Sequence, residues 1–186
     1  MKRKRIIIDL SMAGLFCTLI CVGAFIKIPI PNLPITMQVF FVLLAGLVLK
    51  PKVAFLASFS YLFLGLIGLP IFTGGGGLGY IVIPSFGYII GFVFASTIMS
   101  IVLKFIKNKK FIILLLVSLL GTIIIYLIGV PYFALITNVY KDAGNSFMWF
   151  INSLIIPFIP KEIISLVLAA LVAYKLIPNL NRIENQ

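Results

Sequence analysis

Glu162 and Ser165 stand three residues apart at the head of the last apolar run, in Pro157-Phe158-Ile159-Pro160-Lys161-Glu162-Ile163-Ile164-Ser165. On a helix that spacing sets both side chains on one face. A carboxylate acceptor and a hydroxyl then look into one cavity, and Trp149 and Asn152, just upstream, add an aromatic wall and an amide. These are groups for holding a small polar molecule rather than for breaking bonds. The 186 residues contain four carboxylates, two cysteines and no histidine, so a protein-built metal site and a nucleophile–base pair both lack raw material. The run Gly74-Gly75-Gly76-Gly77-Leu78-Gly79-Tyr80 carries no Lys-Ser/Thr after its glycines, which excludes a Walker-type phosphate loop. Two readings of Glu162 stand open. Pro160 suits the first helical position, and the helix dipole alone favours a carboxylate in the turn that follows. Alternatively Glu162 faces the bundle, where an ionisable group beside a membrane span is by default a functional site.

The elements that must position these groups are membrane helices. Hydrophobic residues make up 62% of the chain, charged residues 10%, and the mean hydropathy is +1.25. Too little polar surface exists to cover a water-soluble globule, and the chain is far too apolar to be disordered. A net charge of +11 would suggest nucleic acid in a soluble protein, but here the positives sit in short clusters between apolar runs. A helix crosses a bilayer with roughly 20 apolar residues. The expectation is an all-α membrane protein, one domain over 1–186, with six transmembrane helices at about 6–26, 35–49, 53–69, 85–103, 111–138 and 160–177. The second and third are short, which calls for extension by flanking residues or for a protein rather than lipid surround. The fifth contains Pro131 and should kink or break there. Cys17 and Cys21, one turn apart inside the first span, do not suit a disulfide.

Charge gives the orientation. Lys2, Arg3, Lys4, Arg5, Lys50, Lys52, Lys104, Lys107, Lys109, Lys110, Lys175 and Arg182 fall at one set of span ends, and only Lys27, Lys141 and Lys161 at the other. The positive-inside rule then puts both termini in the cytoplasm. The external connections, at 27–34, 70–80 and 140–160, hold most of the prolines and the glycine run, and they are apolar. Loops of that kind pack against the helices as a lid or cavity lining; a flexible linker is the alternative for the glycine run, although Phe72, Tyr80 and Tyr88 flank it. Ala13, Cys17 and Cys21 form a stripe of small residues at four-residue spacing, fit for close helix packing. The partner is another helix of this chain or another subunit, and spacing does not choose.

Several stretches then fall in a familiar order: Gly23-Ala24-Phe25-Ile26 with Pro29; Pro34-Ile35-Thr36-x-Gln38; Tyr61-x3-Gly65-Leu66-Ile67-Gly68-Leu69-Pro70-x-Phe72; the run ending Gly77-Leu78-Gly79; Pro84-x-x-Gly87-Tyr88-x-x-Gly91-Phe92; and Pro157-Phe158-Ile159-Pro160. In this order and spacing, over nearly the whole chain, they resemble the BioY family. These are the biotin-specific substrate-binding subunits, or S components, of energy-coupling-factor (ECF) vitamin transporters. The resemblance implies a multi-pass plasma-membrane protein that is not an enzyme, uses no cofactor and captures biotin from outside. Its partners would be a coupling transmembrane subunit, two cytoplasmic ATPase subunits and the lipid bilayer, with no nucleic acid. It implies docking on the coupling subunit through an Ala-x-x-x-Ala stripe, matched here by Ala13 and Cys17.

It also implies ligand contacts. Glu162 would accept a ureido N–H, Asn152 or Ser165 would serve the ureido carbonyl, and Phe72, Tyr80, Tyr88 and Trp149 would pack the bicyclic ring. Ser85 and the backbone of 74–79, Gly79 included, would hold the tail. One departure is visible. Where the family has Gly-Asp-x-x-Lys, this chain has Lys161, Glu162 and Ser165: the acid is one methylene longer, the lysine's place is taken by serine, and Lys161 reads as lying on a different helical face. An S component for another vitamin, and a membrane scaffold without transport, are the rival readings.

Overall fold

The computed structural model describes residues 2–29, 33–140 and 142–184. Expectations that rest on Pro31, Asn32 and Lys141 lie outside these, as do those on the side chains of Lys2, Arg182 and Glu184.

Six long helices form the bundle: α1 (Lys2–Phe25), α2 (Gln38–Val48), α3 (Pro51–Leu66), α4 (Phe86–Phe105), α5 (Phe111–Ala134) and, after the four-residue α6 (Phe147–Phe150), α7 (Ile159–Glu184). Four helical stretches are long and apolar enough to cross a bilayer, namely Arg3–Phe25, Phe86–Phe105, Phe111–Tyr140 and Phe147–Asn179. At 1.5 Å per residue, the 11 residues of α2 span only about 16 Å. That is tolerable because α2 is wrapped by protein: Gln38, Val39 and Val42 through Leu47 are all buried. Outer faces carry exposed Phe63, Phe94, Leu116 and Leu127, as a lipid-facing surface requires. Polar side chains inside find one another, as where the buried Ser58 and Ser96 hydroxyls of α3 and α4 lie 2.9 Å apart.

Three boundaries differ from expectation, each for a local reason. The second span does not begin as helix at 35: Ile35–Thr36 forms a strand (β2) paired antiparallel with Lys27–Ile28 (β1), in register Lys27↔Thr36 and Ile28↔Ile35. β-branched residues favour such pairing. Pro131 does not break α5. The helix runs through it to Ala134 and slips into π-helical geometry over Leu135–Tyr140, so the lost N–H is absorbed within the helix rather than at a break. The segment expected as an external loop at 140–160 is mostly helical: after a short turn come α6, a π-helical stretch Ile151–Ile155 and a 3-10 turn Ile156–Phe158 leading into α7.

The basic clusters gather at one end of the bundle. Asp9 of α1 pairs with Lys50 at 3.3 Å, and Lys50 shares a cleft with Lys104, Lys107 and Lys109. Lys27 and Lys161 share a groove at the opposite end.

Candidate functional site

The glycine-rich segment is a folded cap on the end of the bundle that holds Lys27 and Lys161. Phe72 and Gly75 exchange two backbone hydrogen bonds, 2.9 and 3.1 Å. Gly77, at φ 97°, turns its N–H onto the Gly65 carbonyl at 2.7 Å, a left-handed conformation that glycine adopts without strain. Phe72 is 1% exposed and sits in the notch that Gly65 leaves: a Cβ there would lie 2.0 Å from the phenyl ring. Tyr61, Tyr80 and Phe86 surround that ring at 4.6–6.5 Å between centroids. Polar ties hold the cap down. Lys27 Nζ donates to the Thr73 carbonyl at 2.6 Å, Tyr61 Oη to the Ile71 carbonyl at 3.2 Å, and Tyr132 Oη to the Ile81 carbonyl at 2.6 Å.

Beside the cap lies a small, partly open cavity of about 40 Å³. The β1–β2 connection contributes Leu33, β2 Thr36, and the start of α2 Gln38 and Val39; the cap contributes Thr73; α4 and the residue before it contribute Ser85, Tyr88, Ile89 and Phe92. Tyr126 comes from α5, Phe158 from the turn before α7, and Lys161 and Glu162 from the first turn of α7. Glu162 does fall in the first turn of its helix, as the dipole reading requires. It is also 6% exposed and turned into this cavity, which is the bundle-facing alternative.

Glu162 is held from two sides. Tyr126 Oη donates to Oε1 at 3.0 Å and Lys161 Nζ donates to the same oxygen at 2.8 Å. The other oxygen, Oε2, is buried without a partner, and so is Tyr88 Oη. Both residues line this one cavity. An unpartnered buried polar group costs about 1–3 kcal/mol, and here two of them belong to residues that line one space. The carboxylate offers an acceptor and the phenol a donor/acceptor. Tyr88 is fixed by its edge-on contact with the Tyr126 ring, centroids 5.7 Å apart, and by Gly129 beneath it. A second relay runs from Thr36 Oγ1 to Gln38 Oε1 at 3.3 Å and from Gln38 Nε2 to Tyr61 Oη at 2.6 Å, joining the hairpin, α2, α3 and the cap.

Of the residues expected at the site, Ser85, Tyr88 and Glu162 converge on the cavity. Phe72 and Tyr80 do not line it; their rings form the hydrophobic seat of the cap. Gly79 is exposed with open space around it. Trp149 packs edge-on against Phe150 at 5.2 Å, and Asn152 is exposed; the helical winding of 147–158 carries both away from the cavity. Ser165 is buried but opens on a separate groove of about 490 Å³, lined also by Ile26, Lys27, Met37, Phe40 and Leu168. Thr36 and Lys161 line both spaces and form the partition between them.

Lys161 therefore does not sit on a different face. Positions 161 and 165 are four apart, hence neighbours on one side of the helix, and the long side chain reaches back to Glu162. That spacing was the available signal for Lys161. Gln38 and Thr36 were signalled by being polar at the mouth of an apolar span, whereas nothing in the sequence marked Tyr126. Ala13 and Cys17 are 4% and 6% exposed, inside the core on a helix packed against α2 and α3. In this structure their side chains serve packing within the chain.

The chain matches known proteins over most of its length. A crystal structure of the S-component for biotin from an ECF-type ABC transporter superposes with a TM-score of 0.82 at 26% identity, covering 95% of this chain and 94% of that one. A "Probable biotin transporter BioY" of Lysinibacillus sphaericus is 37% identical over 166 residues, 85% of this chain and 83% of that protein. A "Biotin transporter BioY" of Thermotoga maritima is 37% identical over 170 residues, covering 90% and 95%. The BioY family model matches residues 1–182, and the chain belongs to the BioY family.

Proposed function

We propose that this protein is the substrate-capture subunit of an ECF-type transporter, that its ligand is biotin, and that biotin enters from the extracytoplasmic side under the 70–83 cap. The basic end of the bundle, with both termini, then faces the cytoplasm, where a coupling transmembrane subunit and two ATPases would supply the energy. The observation that carries the ligand assignment is the pair of unpartnered buried atoms, Glu162 Oε2 and Tyr88 Oη, on two residues that line one cavity beside the cap. A cyclic urea presents N–H donors beside a carbonyl acceptor, and the carboxylate and the phenol answer them in kind. Tyr126 and Lys161 act as positioning residues that hold Oε1 and leave Oε2 for the ligand. Ile89, Phe92 and Phe158 supply apolar wall for the rings. The remaining polar groups, Ser85 and Thr36, are left for the rest of the molecule.

The cavity has room for about one or two waters by volume, so a bicyclic vitamin requires the cap, or the Thr36–Lys161 partition, to move. Shifting Lys161 would merge the cavity with the larger groove beside Ser165. The test is binding of labelled biotin to the purified protein, with thiamine, riboflavin and lipoate as competitors. Biotin alone should compete, and Glu162→Gln should lower its affinity roughly 10- to 150-fold, the worth of a hydrogen bond to a charged group. Competition by another vitamin would reassign the ligand. Unchanged affinity in Glu162→Gln would remove the carboxylate from the site.

A further inference from the structure

At the opposite end of the bundle, the α2–α3 turn and the α4–α5 loop enclose a cleft of about 430 Å³. Lys104, Lys107 and Lys109 stand around it, with Lys50 at its edge already engaged by Asp9 at 3.3 Å. No carboxylate lines it among the described residues, and its floor is Leu47, Leu49 and Leu103. Ser100 closes the base, its hydroxyl donated to the Leu49 carbonyl at 2.5 Å. The cleft is thus cationic above and apolar below.

Its neighbour gives that polarity a meaning. A second groove, of about 480 Å³, runs along the outer side of α3 and α4 between Phe55, Leu56, Thr97 and Ile101. It is wholly apolar apart from Lys52 and Thr97, and the Thr97 hydroxyl is donated to its own helix at Val93. Pro51 lines both spaces, so the cationic cleft at the span ends adjoins a shallow apolar trough on the outer surface of α3 and α4. We propose that this composite is a site for an anionic glycerophospholipid of the leaflet at that end, its phosphate among Lys104, Lys107 and Lys109 and one acyl chain along Phe55 and Leu56. Basic pockets between helices at the cytoplasmic surface recognise lipid headgroups in this way. A lysine ammonium is a compact charge that suits phosphate. A free phosphate would use the cleft and ignore the trough, and a partner protein would use neither the phosphate chemistry nor the chain-shaped groove.

The experiment is native mass spectrometry of the detergent-solubilised full chain with phosphatidylglycerol, phosphatidylcholine or glycerol 3-phosphate, after thermal unfolding has shown each variant to be folded. Phosphatidylglycerol adducts should survive where phosphatidylcholine adducts, zwitterionic but with the same chains, are lost. Each lysine near a charged surface contributes about fivefold, so Lys104→Gln/Lys107→Gln/Lys109→Gln should weaken retention on the order of 100-fold, and Lys175→Gln should not. Thr97→Trp, which fills the trough and leaves the lysines, should reduce phosphatidylglycerol retention as well. Full displacement of the lipid by equimolar glycerol 3-phosphate would overturn the assignment in favour of a soluble phosphate. Unaltered retention in the triple variant would overturn it outright, and if that variant instead failed to assemble with its coupling partners, the cleft would be a protein-docking surface.

Discussion

Replacing Tyr88 by Phe separates a binding role from a structural one, because the two predict opposite signs for stability. In the empty protein the Tyr88 hydroxyl is buried and has no partner. Removing it deletes no hydrogen bond to a protein group and relieves a burial penalty of at most about 1–3 kcal/mol. The ring keeps its edge-on contact with Tyr126 at 5.7 Å, and the space left is that of one oxygen atom. For a chain of this size each kcal/mol moves the melting temperature by about 2–4 °C, so the empty variant should melt at the wild-type temperature or up to roughly 10 °C above it. In the complex the sign reverses. On the proposed reading the phenol donates to the ligand's carbonyl, and leaving that oxygen unpaired in the complex costs about 1–3 kcal/mol, a loss of roughly 5- to 150-fold in biotin affinity. Calorimetric titration gives the second number, and thermal unfolding in the same detergent without biotin gives the first. Wild-type affinity in the variant, or a melting temperature several degrees below wild type, would refute the reasoning.

Lys161→Met should lower stability by up to about 3–5 kcal/mol, because it takes the ammonium at 2.8 Å from the buried Glu162 carboxylate and leaves it only the Tyr126 hydroxyl. The double variant Lys161→Met/Glu162→Met should recover most of that loss on thermal unfolding while failing to bind biotin; a double variant as unstable as the single one would contradict the pairing. Gly65→Ala puts a methyl group 2.0 Å from the Phe72 ring, overpacking worth about 1–3 kcal/mol. It should loosen the cap, seen as faster release of labelled biotin, whereas Gly79→Ala, with open space around it, should release at the wild-type rate.

What the sequence could and could not disclose follows from the range of the interactions involved. The six helices were legible because membrane spans announce themselves by composition, and the gathering of lysines at one end was legible because charge alternates with the spans. Glu162 was legible as an acid where acids are scarce. Its partners were less so. Tyr126 lies 36 residues away on another helix, and no local pattern distinguishes it from Tyr132, which instead ties down the cap. Aromatic residues near the glycine run suggested ring packing around a ligand, but Phe72 and Tyr80 are drawn into the gap over Gly65, since burying two rings there stabilises the cap itself. Trp149 and Asn152 were misplaced by treating 140–160 as a loop. Once those residues wind into α6 and a π-helical stretch, the side chains point where the helix sends them.

The cap and the partition together explain why the cavity is so small. Two of its walls are attached by a few discrete contacts: the 70–83 segment by three side-chain bonds to backbone carbonyls, the Gly77–Gly65 backbone bond and one phenyl ring in a glycine notch, the partition by Thr36 and a lysine whose charge is shared with Glu162. The helices behind it are different in kind, packed through glycine, alanine and serine with their backbone bonds satisfied internally. A ligand that takes over the hydrogen-bonding role at Glu162 Oε2 and Tyr88 Oη therefore works against a few discrete ties rather than against the bundle. On the proposed binding mode, the energy needed to open the site would come from the same two atoms that have no partner in its absence.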